Sequence, residues 1–235
     1  MILAEAANLH TFVDAFRFIG DNPGFLATKA WQQLELSGAA LGIGLGVALP
    51  FGIVLGHLHR GSGIAIGSSI VGRALPSLVL IAAFLTVLGI GFVNNMVALA
   101  VLASGPILTN SFDAVNRVEA DVVEAARGMG MTGVQILRRV ELPLALPLLF
   151  TGIRIAAVTV VATAPIAAIA GGGGLGDIIV NQASYRLAGV LGASLCVMIL
   201  SAAVFVALVG LQAALTPTGV RRTRVGEAPT GKEPQ

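Results

Sequence analysis

Long uncharged stretches alternate along this chain with short segments that carry nearly all of its charge. Ser37 to Gly56 is free of charge for long enough, at about 1.5 Å rise per residue, to cross a hydrocarbon layer about 30 Å thick. It predicts a first membrane span, kinked at Pro50. Within it Gly38, Gly42 and Gly46 recur every fourth residue, so they share one helix face and offer a smooth strip for a neighbouring helix. Ile64 to Gly72 is apolar but too short to cross alone, and Arg73 separates it from Ala74 to Val93. The longer run is span two, and the shorter is a re-entrant or packed lead-in. Span three covers about Met96 to Phe112 and contains Pro106, and span four runs from about Leu144 to Ala170 with Pro147 and Pro165 inside it. Arg154 in span four must either snorkel toward an interface or face the bundle interior, and snorkelling is the preferred expectation. Span five occupies part of Leu187 to Leu215 and ends before Thr216-Pro217. The pattern therefore predicts an all-α integral membrane protein of about five transmembrane helices.

The ends differ from the middle. In Met1 to Asp21, the residues Leu9, Phe12, Val13, Phe16 and Ile19 recur at helical spacing, which predicts a short amphipathic helix at the membrane surface. Glu5, Asp14 and Arg17 interrupt the segment, and no basic start leads into an apolar core, so it does not read as a cleavable signal peptide. Residues 1–30 are taken as this amphipathic segment, 31–215 as the transmembrane domain and 216–235, polar and rich in Pro and Gly, as a disordered cytoplasmic tail.

Between spans three and four lies the one long polar stretch, residues 113–143, and its punctuation predicts two short helices with a bend between them. Asp121 followed by Glu124 reads as a helix start, and Thr132 with Gln135 as a capping box that opens a second helix. Gly130 falls between them, where a residue free to adopt φ > 0 can end the first helix and turn the chain. The second helix is expected to stop near Pro143.

Composition agrees with lipid as the main solvent: 56% of residues are hydrophobic and only 11% charged, with a mean hydropathy of +0.91. Thirty glycines fit the same class, because they let membrane helices approach closely. A dispersed net charge of +2 gives no basic patch for nucleic acid. Cys196, the sole cysteine, sits in an apolar run and reads as a small packing residue. His57 and His59, two apart, point to different sides of a helix and mark a membrane boundary rather than a metal site.

The polar stretch also carries a resemblance. Glu124-Ala125-Ala126, then Gly130, then Val140 and Leu142-Pro143 stand at the spacing of the EAA loop in permease subunits of binding-protein-dependent ABC importers. Val140 stands where that pattern commonly has Ile. The similarity extends from about Trp31 to Leu215, and the wording of Glu124 to Gly130 and of Gly171 to Asp177 resembles the osmoprotectant branch, which imports glycine betaine, carnitine or choline. The resemblance implies that Glu124, Ala125, Ala126, Gly128, Gly130, Val140, Leu142 and Pro143 form a cytoplasmic coupling element seated in a groove of a separate ABC ATPase. It further implies a second permease subunit, identical or homologous, an extracytoplasmic substrate-binding protein and a prokaryotic plasma-membrane location. The chain would bind no cofactor of its own; ATP and Mg would act at the partner ATPase.

Orientation can be read without the resemblance. With the Glu124 loop cytoplasmic, that side receives Arg60, Arg73, Arg117, Arg127, Arg138, Arg139, Arg221, Arg222, Arg224 and Lys232, while Arg17, Lys29 and Arg186 remain outside. A five-span arrangement with the N-terminus outside thus obeys the positive-inside rule.

The run Gly171-Gly172-Gly173-Gly174-Leu175-Gly176 satisfies GxGxxG in form but lacks the preceding strand and the later acidic residue that dinucleotide binding needs. With Asp177 it reads either as a flexible external gate, as the resemblance suggests, or as a tight interhelical turn. No carboxylate pair, Ser/His/Asp set or Cys/His cluster can be placed together, so the chain is not expected to be an enzyme or to bind a metal. One Trp and one Tyr argue against an aromatic cage for a quaternary ammonium ion within the membrane. Two competing readings stay open: a permease of another importer, for instance of amino acids, and a passive channel or membrane scaffold.

Overall fold

In the computed structural model, which describes residues 2–64, 67 and 76–215, no strand occurs among the described residues. The chain forms α1 (Ile2–Asp21), α2 (Pro23–His57), α3 (Ser77–Leu88), α4 (Phe92–Asn116), α5 (Ala120–Gly128) and α6 (Gly133–Ile136). A π-helical turn, Leu137–Glu141, leads into α7 (Leu142–Thr163). A 3-10 segment (Ala164–Ala170), α8 (Gly176–Val180) and α9 (Gln182–Leu215) complete it.

The helix α4 is the axis of the bundle, packed between α2 and α7. What allows the close α2–α4 contact is a run of small residues on α2: Ala40, Gly44, Ala48, Gly52 and Gly56 are all buried. A Cβ at Gly52 would lie 2.7 Å from the Leu108 carbonyl oxygen, and one at Gly56 2.7 Å from that of Phe112. The strip expected from sequence is a different one. Among the described residues nothing beyond the helix itself lies within 4 Å of a Cβ built at Gly38, Gly42 or Gly46, so these three are not the packing strip of the described bundle. Both strips have fourfold spacing, and α2 is apolar on every side, so periodicity alone does not select the buried one.

This contrast gives a direct test. Gly52→Leu is expected to abolish accumulation of the protein, because the clash is with backbone and exceeds the roughly 1–3 kcal/mol of ordinary overpacking. Gly42→Leu should accumulate normally. Equal abundance of the two variants in membranes would refute the assignment of the packing face.

Among the described residues four helices are long and apolar enough to span: Pro23–His57, Phe92–Asn116, the continuous stretch Gly133–Ala170, and Gln182–Leu215. Span two is shorter than expected from Ala74 to Val93, because Gly89 and Gly91, at φ +75° and +137°, end the helix at Leu88. At about 1.5 Å per residue α3 covers only about 18 Å. The lead-in assigned to 64–72, like Arg73, lies mainly outside the described residues, as do the tail 216–235 and its basic residues.

Other boundaries move as well. The proposed division at residue 30 falls inside α2, which begins at Pro23. Pro143 does not stop a helix; it stands in the first turn of α7, directly after the π-helical turn that carries the helix through. Helix α1 packs on α9 through buried Ala15 with Phe18 and Ile19, next to Gly189 and Gly192. The predicted apolar face is instead partly outward, with Phe12, Val13 and Phe16 exposed.

Candidate functional site: the coupling loop and the two ends of the bundle

The loop between α4 and α7 is built by local rules. Helix α5 starts after Glu119, which makes no side-chain cap, so the start expected at Asp121 and Glu124 is displaced and Asp121 lies in the first turn. There its negative charge still complements the helix dipole. The C-terminus is a Schellman motif: Met131 N–H donates to the Ala126 carbonyl at 3.2 Å and Gly130 N–H to that of Arg127 at 3.0 Å. Gly130 supplies the left-handed residue the motif needs, at φ +80°. Two residues on, Thr132 N–H donates to Gln135 Oε1 at 2.8 Å and Gln135 N–H to Thr132 Oγ1 at 3.4 Å, the expected capping box.

The loop has an inner and an outer side. Ala126 and Ile136, both 2% exposed, hold the two short helices to the rest of the protein. Glu124, Ala125, Gly128 and Gly130 are exposed, and Met129 and Val134 present apolar side chains outward at the tip. A Cβ on Gly130 would meet nothing within 4 Å among the described residues. Val140, Leu142 and Pro143 are half-buried at the far end, in the turn joining the loop to α7.

That turn carries a contact not anticipated from sequence. Glu141 is 1% exposed, and its Oε2 is hydrogen-bonded to His57 Nδ1, on the last turn of α2, at 2.6 Å. The π-helical turn, which wraps one residue more per hydrogen bond than an α-turn, is where the chain delivers Glu141 inward. His57 and Glu141 also line a cavity of about 430 Å³ shared with Val123, Arg127 and Ile136. The loop is therefore attached to α2 as well as to the two helices it connects.

The opposite end is organised by the glycine run. Gly171, Gly173 and Gly174 adopt φ of +73°, +72° and +80°, and the turn is packed rather than loose. A Cβ on Gly174 would lie 3.1 Å from Gln33 Cβ, and one on Gly176 would overlap the Pro165 carbonyl oxygen. Gly174 N–H donates to Gln32 Oε1 at 3.3 Å, Gln33 Nε2 donates to the Val161 carbonyl at 2.9 Å, and Lys29 Nζ pairs with Asp177 Oδ2 at 2.6 Å. Asn95 Nδ2 donates to the carbonyls of Gly91 and Ala170, closing the same end against α4. Lys29 and the glycine turn thus share one end of the bundle, and His57 and the coupling loop the other, in agreement with the charge-derived topology.

An apolar bundle with spans of this length and an exposed helical elbow at one end defines a polytopic membrane protein. Comparison with known proteins specifies which. Residues 48–220 match the family described as binding-protein-dependent transport system inner membrane component, and the chain belongs to that family. It is 38% identical to the carnitine transport permease protein OpuCB of Listeria monocytogenes over 89% of this chain and 96% of the other. To the choline transport system permease protein OpuBB of Bacillus subtilis it is 35% identical, over 88% and 96% respectively. Among solved structures, an inward-facing form of the MetNI methionine ABC transporter superposes with a TM-score of 0.70 at 25% identity, over 82% of this chain and 96% of that one. The protein is a multi-pass transport permease of the inner, or plasma, membrane.

Proposed function

We propose that this chain is the permease subunit of an ATP-driven importer and lines, with a second permease subunit, the path for small quaternary-amine osmoprotectants such as glycine betaine, carnitine or choline. The observation that carries the coupling role is the loop itself: exposed at Glu124, Gly130, Met129 and Val134, yet fixed to α2 through Glu141. A separate ABC ATPase, holding ATP and Mg, closes on this elbow. The two short helices move as a lever, and α2 and α7 follow, which changes the side of the membrane to which the path opens. An extracytoplasmic binding protein delivers the substrate at the Lys29 end. There the glycine turn from Gly171 to Asp177 reads best as a tight joint, and the Lys29–Asp177 pair is the bond that must open if it gates.

The substrate class rests on relatives named for carnitine and choline that cover nearly the whole chain. It is tested by uptake into proteoliposomes carrying the complex and its binding protein. Labelled glycine betaine, carnitine or choline should enter, and excess methionine should not compete. Entry of methionine with none of the quaternary amines would move the protein to the amino-acid alternative.

A further inference from the structure

Arg154 stands on α7 in a groove of about 380 Å³ lined by Thr151, Ile155, Val158, Thr159 and Phe205. Its guanidinium donates to Thr151 Oγ1 at 3.3 Å and lies 5.6 Å from the centre of the Phe205 ring. The side chain does not reach for the nearer end of α7. Along α7 the two polar levels are Glu141, bonded to His57, and Val161, bonded to Gln33, about 30 Å apart at helical rise. Thr151 is halfway between them, and Arg154 turns toward it, away from the nearer end. The reason is helix geometry: side chains lean toward the helix N-terminus, here the loop side.

A guanidinium at that depth is costly against lipid and is found facing water-filled paths or charged partners. Among the described residues Arg154 forms no ion pair; its partners are a hydroxyl and an aromatic face. The groove is open on its outer side, as the wall of a path shared by two subunits must be in one subunit alone. Its chemistry is a planar five-donor cation beside two hydroxyls, above an apolar floor of Ile155, Val158 and Phe205.

Resting on the osmoprotectant reading, we propose that this groove is a transient substrate site in the translocation path, in which the Arg154 guanidinium, positioned by Thr151, whose own hydroxyl donates to the Pro147 carbonyl at 3.0 Å, holds the carboxylate of a zwitterionic quaternary amine. The methylated ammonium end, which has no N–H to satisfy, lies against the apolar floor. A fork of parallel N–H donors suits a carboxylate better than a point charge does. Choline has no carboxylate and gains nothing from Arg154, so the site favours glycine betaine and carnitine over choline.

The test is uptake of glycine betaine and of choline by reconstituted complexes at saturating binding protein. For Arg154→Gln the ratio of betaine to choline uptake should fall about tenfold, the scale of one lost charge-assisted contact. Arg154→Lys should fall between Gln and the parent. Subunit stoichiometry and abundance are measured alongside. If Arg154→Gln fails to assemble, Arg154→Lys decides, and an unchanged ratio in it overturns the proposal. Equal loss of both substrates at normal assembly also overturns it, pointing to a lipid or subunit contact. Parent complexes that carry choline but no betaine or carnitine overturn the site while the osmoprotectant reading stands. Parent complexes that carry no quaternary amine refute that reading itself.

Discussion

Gly130→Asp is expected to reduce uptake to background while the protein accumulates and assembles its membrane domain normally. The residue sits at φ +80°, where a non-glycine side chain costs about 1–2 kcal/mol, too little to unfold a bundle whose packing lies elsewhere. Among the described residues nothing is within 4 Å of the new Cβ, so no clash with them occurs. The damage falls on the outer surface, between the exposed tips Met129 and Val134, where the loop would meet the ATPase. A carboxylate there both strains the Schellman turn and places a charge beside the exposed apolar side chains of Met129 and Val134. Uptake, substrate-stimulated ATP hydrolysis and abundance are measured together. Full uptake at normal abundance would mean that this bend is not the coupling joint.

His57→Leu should be more damaging to stability than Glu141→Gln, and both should uncouple. Removing His57 leaves the Glu141 carboxyl, with 2% of its side chain exposed, without its hydrogen-bonding side chain among the described residues. Breaking such a buried pair from one side costs roughly 3–5 kcal/mol when the remaining group keeps its charge. Glu141→Gln removes that charge while retaining an acceptor for the imidazole. The order of thermal stability should therefore be parent, Glu141→Gln, His57→Leu. In complexes that still assemble, ATP hydrolysis should persist in both variants with reduced uptake, because the loop has lost its attachment to α2. Coupled uptake at the parental level in His57→Leu would show that the elbow acts through α7 alone.

What the sequence revealed about this site follows the range of the interactions. The capping box at Thr132 and the left-handed glycine at Gly130 are local, and residues within five positions of each other determine them. The His57–Glu141 contact joins residues 84 apart, and His57 on its own is consistent with any boundary histidine. Pro143 is ambiguous for a different reason: proline both follows helices and begins them, and only the π-helical turn before it decides. The glycine strips show the same limit in packing. Gly38, Gly42 and Gly46 resemble Gly44, Gly52 and Gly56 in spacing, and the buried set is selected by the backbone of α4, which periodicity does not contain. Arg154 was legible as an anomaly from its place in an apolar run, but its direction required the helix polarity and the levels of Glu141 and Val161.

The central claim is that energy enters this subunit through the loop from Glu119 to Glu141 and is supplied by ATP on the cytoplasmic side. Its most direct test uses proteoliposomes that contain the permease, the copurified ATPase and external binding protein, with ATP sealed inside. Labelled glycine betaine or carnitine should accumulate above its external concentration, only with hydrolysable ATP, and not when Gly130→Asp replaces the parent. Equilibration without accumulation, at a rate indifferent to ATP, would identify a passive channel and contradict the account.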